Sequence, residues 1–388
     1  MKILMLAPEP FFQPRGTPIS VYQRIRALSD LGHEVDLVTY HLGEDKAIRK
    51  LEIYRIPNVF LIKKIKIGPS LKKIPLDFLL FLKASGLLLR KRYDLIFSHE
   101  EGALFGVILS KLWKIPHIYD MHSSLPQQLE NFDFSQSKLL KRVFLSMERF
   151  ILKNSSAIIV ICLDLLKQVE KESFAEKAIL LENFIDFDPE EFTAEEIRQK
   201  REEFAPEEKK IVLYAGNFQP YQGISLFLEA ASKIQNDRII FVLVGESPAA
   251  VEREKTRARK LGIADKVFFT GQVPPSQMPL FIGLADVLVS PRLSGTNTPL
   301  KIYSFLKSGK PLVATNLWTH TQVLSDQLAV LVEPEAACMA EGITFALFDG
   351  RAQEKAKLAK NNADRDYTYP RYKEKISQVL DTATGQKG

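Results

Sequence analysis

Short runs of consecutive apolar residues alternate with longer stretches whose apolar positions recur every three or four residues, along the whole chain. The short runs read as strands at 3–7, 35–40, 59–62, 95–98, 117–120, 158–161 and 178–182, and again at 211–215, 239–244, 267–270, 287–290, 311–315 and 329–332. The stretches between them have helical period: 19–31, 76–92, 103–113, 139–153 and 163–172, then 224–234, 249–261, 276–283, 319–325, 336–348 and 351–363. Strands that are apolar on both faces, separated by helices of this length, predict parallel sheets covered on both sides. The fold class expected is therefore α/β, with doubly wound, Rossmann-like sheets.

The alternation is interrupted once. From 186 to 210 the chain is dense in acids and bases and poor in strand formers. This predicts a first domain over 1–186, a linker over 187–209 carrying one solvated helix at 194–204, and a second domain over 210–369. A last helix, about 370–383, follows the aromatic bend Tyr367-Thr368-Tyr369-Pro370. A length of 388 residues fits two domains better than one.

Composition changes this picture little. Apolar residues make up 46% and charged residues 26%, as in ordinary globular proteins. Cys162 and Cys338 are far apart and suggest small buried side chains rather than a disulfide or metal framework. The start of the chain is broken by Pro8, Glu9 and Pro10 and does not read as a signal peptide, and no apolar run is long enough to span a bilayer. A cytoplasmic protein is expected. The net charge of +6 favours anionic partners without naming one, and no nucleic acid is expected among them. The charge is concentrated over 63–92, where nine cations interleave with Leu, Ile and Phe against the single acid Asp77. Such a segment suits the interface of an anionic membrane, which would make the protein peripheral on the inner face.

Candidate chemistry sits at the carboxyl ends of the strands, where open α/β sheets bind ligands. No G-x-G-x-x-G follows the first strand and no P-loop occurs, which removes the main support for a nicotinamide dehydrogenase or a nucleotide triphosphatase. Instead the first strand runs into a loop ending Arg15-Gly16-Thr17 at a helix start, where Arg15 could meet an anion. After the strand at 117–120 come Asp120 and His122, a carboxylate beside an imidazole, followed by Ser123 and Ser124. Glu100 and Glu101 hold the matching place after the preceding strand and are weaker candidates. Metal ligation is not expected, since no His, Cys or acid cluster has ligand spacing. In the second half, Ser290 to Thr315 is a strand, a loop rich in Ser, Gly, Thr and Asn, a helix opened by Pro299 and stopped by Gly309, and a second strand. Hydroxyls, an amide and the positive end of a helix dipole suit a phosphate or a sugar there.

In order, Arg15-Gly16-Thr17 with Gly32-His33-Glu34-Val35, Tyr119-Asp120-Met121-His122, Glu182-Asn183-Phe184-Ile185-Asp186, Tyr214-Ala215-Gly216-Asn217, Val244-Gly245-Glu246, Thr270-Gly271-Gln272-Val273, Ala285-Asp286-Val287 and Ser308-Gly309-Lys310-Pro311 form a fairly specific set. On these the chain resembles the family 4 glycosyltransferases of the GT-B type over nearly its full length. The resemblance implies two Rossmann-like domains facing across a cleft, with the last helix crossing back to the first domain. It implies a retaining, metal-independent transfer of a sugar from a nucleotide-diphosphate donor, with no cofactor, to a glycan or lipid-linked acceptor, as in building a polysaccharide. By the same resemblance His122, with Asp120, acts at the donor sugar. Gly16 and Thr17 lie by the diphosphate and acceptor, and the second domain binds the donor through Gly216, Asn217, Gln222, Gly245, Arg292, Thr296, Asn297, Thr298, Lys301 and Ser304.

The chain departs from the family pattern at its charged clamps. Asn217 and Gln222 stand where the family has an Arg and a Lys, and Thr296 and Ser304 stand where it has two glutamates, the second of which holds the donor ribose. Three explanations compete: an altered donor, replacement of the missing cations by Arg292 or Lys301, and a non-catalytic homologue that binds nucleotide sugar or glycan. We favour the second, because the loop from Ser294 to Thr298 keeps its small polar groups. A nucleotide-sugar epimerase is a further alternative, with His122 and Glu100 or Glu101 as its acid–base candidates.

Overall fold

Strand β1 (Lys2–Ala7) stands in the middle of a seven-stranded sheet, and its residues from Ile3 to Ala7 are all buried. The computed structural model describes residues 1–13, 16–60, 62–63, 65, 70, 73–126, 137–184, 192–206 and 209–385. Two compact units emerge: Met1–Asn183 with Pro370–Gly388, and Phe184–Tyr369.

In the first unit, α1 (Gly16–Asp30) follows β1, then β2 (Glu34–Thr39), β3 (Leu51–Arg55), α2 (Lys73–Arg90), β4 (Leu95–His99), α3 (Gly102–Trp113), β5 (His117–Met121), α4 (Lys138–Asn154), β6 (Ala157–Val160), α5 (Leu163–Lys171) and β7 (Ala178–Leu180). The sheet order is β3-β2-β1-β4-β5-β6-β7, and every neighbouring pair is parallel. The strand order reverses between β1 and β4, which opens a crevice at their carboxyl ends. Helix α3 packs between α2 and α4 on one side of the sheet.

One strand lies elsewhere than the apolar pattern predicts. The edge strand is Leu51–Arg55, whereas 59–62 forms no strand among its described residues. An edge strand pairs on one side only and stays half-exposed, so LEIYR carries charges that a search for continuous apolar runs passes over.

The second unit repeats the arrangement. Its elements are α6 (Ala194–Glu202), β8 (Lys210–Ala215), α7 (Ile224–Lys233), β9 (Ile239–Val244), α8 (Pro248–Lys260), β10 (Val267–Gly271), α9 (Met278–Leu284), β11 (Val287–Ser290), α10 (Leu300–Lys307), β12 (Leu312–Thr315), α11 (Trp318–Thr321), β13 (Val330–Val332), α12 (Ala336–Phe348) and α13 (Gly350–Asp366). The sheet order is β10-β9-β8-β11-β12-β13, all parallel, with its reversal between β8 and β11.

Helix α6 is not a free linker helix. Thr193 and Glu196 form a capping box at its start. Ile197 packs against Gly283 on α9, where a Cβ would lie 2.9 Å from its Cδ1. Arg201 donates to the carbonyls of Leu284 and Lys209 and pairs with Asp286 at 2.7 Å. The helix is solvated as its charges predict, with no residue buried, but Ile197 and Arg201 hold it to the second unit. The last helix, α14 (Tyr369–Thr384), passes back at Pro370 to the first unit, where Tyr372, Ile376, Val379 and Leu380 are buried.

Candidate active site

The two loops at the β8–β11 reversal are drawn close by glycines. A Cβ at Gly223, whose φ is +75°, would lie 1.8 Å from the Pro291 carbonyl oxygen. At Gly245, just after β9, with φ of +124°, it would lie 2.2 Å from that of Gly216, so the loop after β9 closes on the one after β8 in the same way. No other residue fits either position. Glu246 ties the loops after β8 and β9 together, its carboxylate accepting the N–H groups of Phe218 at 3.0 Å and Ser247 at 2.9 Å. Burial opposes its charge, but these N–H groups outweigh it and hold the carboxyl below its usual range.

Two cations share this place. The Nζ of Lys301, on the first turn of α10, is buried 4.0 Å from the centroid of the Tyr214 ring and has no hydrogen-bond partner among the described residues. Desolvation and then the nearby Arg292 charge drive its pKa well down. The Arg292 guanidinium lies over Tyr221 at 5.2 Å, and its Nη1 donates to the Asn297 carbonyl and the Thr319 hydroxyl, both at 2.7 Å. Its Nε has no partner among the described residues, and desolvation lowers its pKa as well. No carboxylate forms an ion pair with either cation among the described residues. The buried Oγ1 of Thr298 and Oε1 of Gln222 are also unpartnered there. Two desolvated cations without an anion are unfavourable unless a ligand supplies the negative charge. His320 adds none: burial pushes it down to about 4, and it bridges Ser290 Oγ at 2.9 Å and the Thr315 carbonyl at 2.9 Å as a neutral ring.

In the first unit, Asp120 at the end of β5 is fully buried with Arg24 of α1. Its Oδ2 accepts from Arg24 Nε at 2.9 Å and lies 3.2 Å from His99 Nδ1 and 3.3 Å from His122 Nε2. Burial works against the Asp120 charge, but Arg24 first and then the imidazoles hold its carboxyl well below the usual range. Burial pushes His99 down to about 4, so it is neutral near pH 7. Arg24 Nη1 in turn donates to the Tyr372 hydroxyl of α14, and the guanidinium lies over that ring at 5.2 Å. Glu100, pushed up to about 7 by burial, accepts the Ser123 hydroxyl at 3.0 Å.

His99, Asp120 and His122 offer three ligand atoms within 4.8 Å of one another, a cluster that sequence spacing does not reveal. A cation held through Oδ2 would share it with the Arg24 guanidinium, while the buried Oδ1 has no hydrogen-bond partner among the described residues.

The residues singled out from the sequence are thus gathered unevenly. Asp120 and His122 meet, and Gly216, Gly245, Arg292, Asn297 and Lys301 converge on one edge, with Gln222 next to Tyr221. Asn217 is exposed and its Oδ1 accepts from Gln219 N, Thr296 gives only its carbonyl to Gln322, and Ser304 lies one turn beyond Lys301 with its carbonyl bound by Ser308. Gly16 and Thr17 begin α1, and Arg15 lies outside the described residues. Sequence reasoning missed Arg24, His99, Tyr214, Tyr221, Thr319 and Tyr372. Arg24 did leave a signal: with Val21, Ile25 and Leu28 it falls on the apolar stripe of α1, where a charge must be paired.

Residues 14–189 match the sequence family Glycosyltransferase Family 4, and residues 195–365 match Glycosyl transferases group 1. A phosphatidyl-myo-inositol mannosyltransferase of Mycobacterium tuberculosis is 22% identical across 99% of this chain and 98% of its own. An alpha-monoglucosyldiacylglycerol synthase of Streptococcus pneumoniae is 24% identical across 84% of this chain and 74% of its own. Among solved structures, Anabaena HepE in complex with UDP has a TM-score of 0.77 at 18% identity, covering 98% of this chain and all of that one. No helix is long and apolar enough to cross a membrane among the described residues.

Proposed function

Since the chain belongs to the family 4 glycosyltransferases, we propose that it moves a sugar, with retention and without a required metal, from a nucleotide-diphosphate sugar to a glycan or lipid-linked acceptor. The observation that carries this reading is the buried pair Lys301 and Arg292, two cations with no counter-ion at the strand-order reversal of the second sheet. A diphosphate supplies the charge they lack. As the glycosidic bond breaks, negative charge builds on the departing diphosphate, and cations fixed in a desolvated site stabilise it more than mobile water does. The unpartnered Thr298 hydroxyl and Gln222 amide, together with the first-turn N–H groups of α10, are further donors and acceptors for the same ligand. This is how a chain lacking the family's usual cations at Asn217 and Gln222 keeps a phosphate grip. In the first unit His122, oriented by Asp120, acts at the donor sugar, and Gly16–Thr17 border the acceptor. The complex of Anabaena HepE with UDP supports a nucleotide donor.

The lipid-directed names of the mannosyltransferase and the diacylglycerol synthase support an acceptor at a membrane surface. So does α2, which exposes Ile74, Phe78, Leu82 and Leu89 beside Lys83 and Arg90, as expected of a peripheral protein on the inner face of an anionic membrane. A second reading, a non-catalytic binder, is favoured by Ser304 at the ribose position.

A panel of nucleotide sugars, UDP-glucose first, tests the reading. Transfer or donor hydrolysis is expected, and Lys301→Ala should lower it tenfold or more, about 1.4 kcal/mol of lost charge stabilisation. Stabilisation by nucleotide sugars without turnover would leave the non-catalytic binder. Sugar interconversion would mean an epimerase.

A further inference from the structure

Helix α4 carries five cations, Lys138, Lys141, Arg142, Arg149 and Lys153, and one carboxylate, Glu148. Glu148 pairs with none of them. It is buried on the inner face of the helix, where Oε2 accepts the Leu125 N–H at 2.6 Å and Oε1 accepts the Ser124 hydroxyl at 3.2 Å. These are the second and third residues after His122. On the other side, the Ser123 hydroxyl donates to both oxygens of Glu100, at 3.2 and 3.0 Å. Three successive residues therefore hang from two carboxylates on different segments, Glu148 buried and Glu100 half-buried. A buried carboxylate is unfavourable, and α4 would pack as well with an apolar side chain at 148, beside Ile151 and Leu152. What the carboxylate adds is a fixed backbone directly after His122.

We infer that Glu148 is a positioning residue for the transfer reaction, holding Ser124 and Leu125 and so the backbone on which His122 stands. This rests on the role of His122 in the transferase reading above. Burial pushes Glu148 up to about 6, opposed by its bonds from Leu125 and Ser124 and aided by Glu172 after α5. The other titratable groups on this side are the Tyr119 hydroxyl from β5, Arg149, which pairs with Glu172 at 2.6 Å, and Lys111 of α3, which lies over Phe150. At pH 8 the clamp is charged, and at pH 5 it is neutral and holds the Leu125 N–H less tightly.

The test compares Glu148→Gln with the unmodified protein from pH 5 to 8, using the first nucleotide sugar that turns over. The ratio of the two rates cancels every titration they share, Glu100 included. At pH 8 the variant's kcat should be about tenfold lower with donor KM within twofold, and the deficit should close towards pH 5. A ratio of one throughout, a deficit independent of pH, or a loss confined to KM would overturn the inference. If no nucleotide sugar turns over, the transferase reading fails instead, and hydrogen exchange still decides the clamp. The Leu125 amide should be protected in the unmodified protein and lose protection in Glu148→Ala, or in Glu148→Leu if the alanine variant does not fold. Equal protection in both would overturn it.

Discussion

Arg24 and Asp120 form an ion pair in which both side chains are fully buried. Neither pays for its own desolvation, and each is stable only because the other is present. Removing one partner of such a pair leaves a bare charge in the interior, at about 3–5 kcal/mol. Arg24→Ala should therefore destabilise the protein by that amount in urea unfolding, far more than loss of an exposed pair such as Arg351–Asp349. A change under 1 kcal/mol would mean that Asp120 takes up a proton and does without Arg24. The residue scale is also where the sequence was least legible. Asp120 and His122 could be chosen because they are near neighbours at a strand's end. Arg24, His99 and Tyr372 come from three other segments, and nothing local marks them as partners of Asp120.

At the scale of elements, helical and strand periods were read correctly wherever one face or both faces are buried. They misled where burial is partial, at edge strand β3. Helix α2 presents the same difficulty in reverse, because its period is correct but its outer face is apolar. Ile74 and Leu89 are 62% and 77% exposed, which no packing within the described residues explains. On an anionic bilayer this face would enter the interface while the cations remain at the headgroups. Substituting Ile74 and Phe78 by Ser should lower binding to phosphatidylglycerol-containing vesicles by tenfold or more in a flotation assay. It should leave hydrolysis of a soluble donor unchanged. Binding that ignores lipid charge would remove the electrostatic half of this account.

For the whole molecule, the two units carry buried groups of opposite tendency. In the second unit His320 is pushed down to about 4 by burial, and Lys301 and Lys310 are also lowered by it. Each binds fewer protons folded than unfolded, so stability falls as pH drops, for His320 between about 6.5 and 4. In the first unit His99, near 4, and His117, near 3, act in the same sense. There, however, Asp77 and Glu100 are raised by burial to about 7 and Glu148 to about 6. These carboxyls bind more protons folded than unfolded, so they offset the loss between pH 7 and 4.5. Calorimetry between pH 7 and 5 should show the transition that pyrophosphate raises, that of the second unit, falling further than the other. Equal shifts would contradict this division.

The sequence by itself determined the two α/β domains, most of their strands and helices, and the family, because these follow from local period and from short motifs at the ends of strands. A strand's side chains alternate and a helix's recur every 3.6 residues whatever else the chain does, so burial writes the pattern into neighbouring positions. It also determined that the usual charged clamps are absent. Only the tertiary structure decided where the remaining cations come to lie. Lys301 comes to the Tyr214 ring, and Arg292 to Tyr221, because β8 and β11 are neighbours in the sheet although β9 and β10 lie between them in sequence. The same holds for the network around Asp120, drawn from α1, β4, the end of β5 and α14. Charges that meet through sheet topology leave no period, and their pairing is settled by the energy of burial, which exists only once the chain has folded.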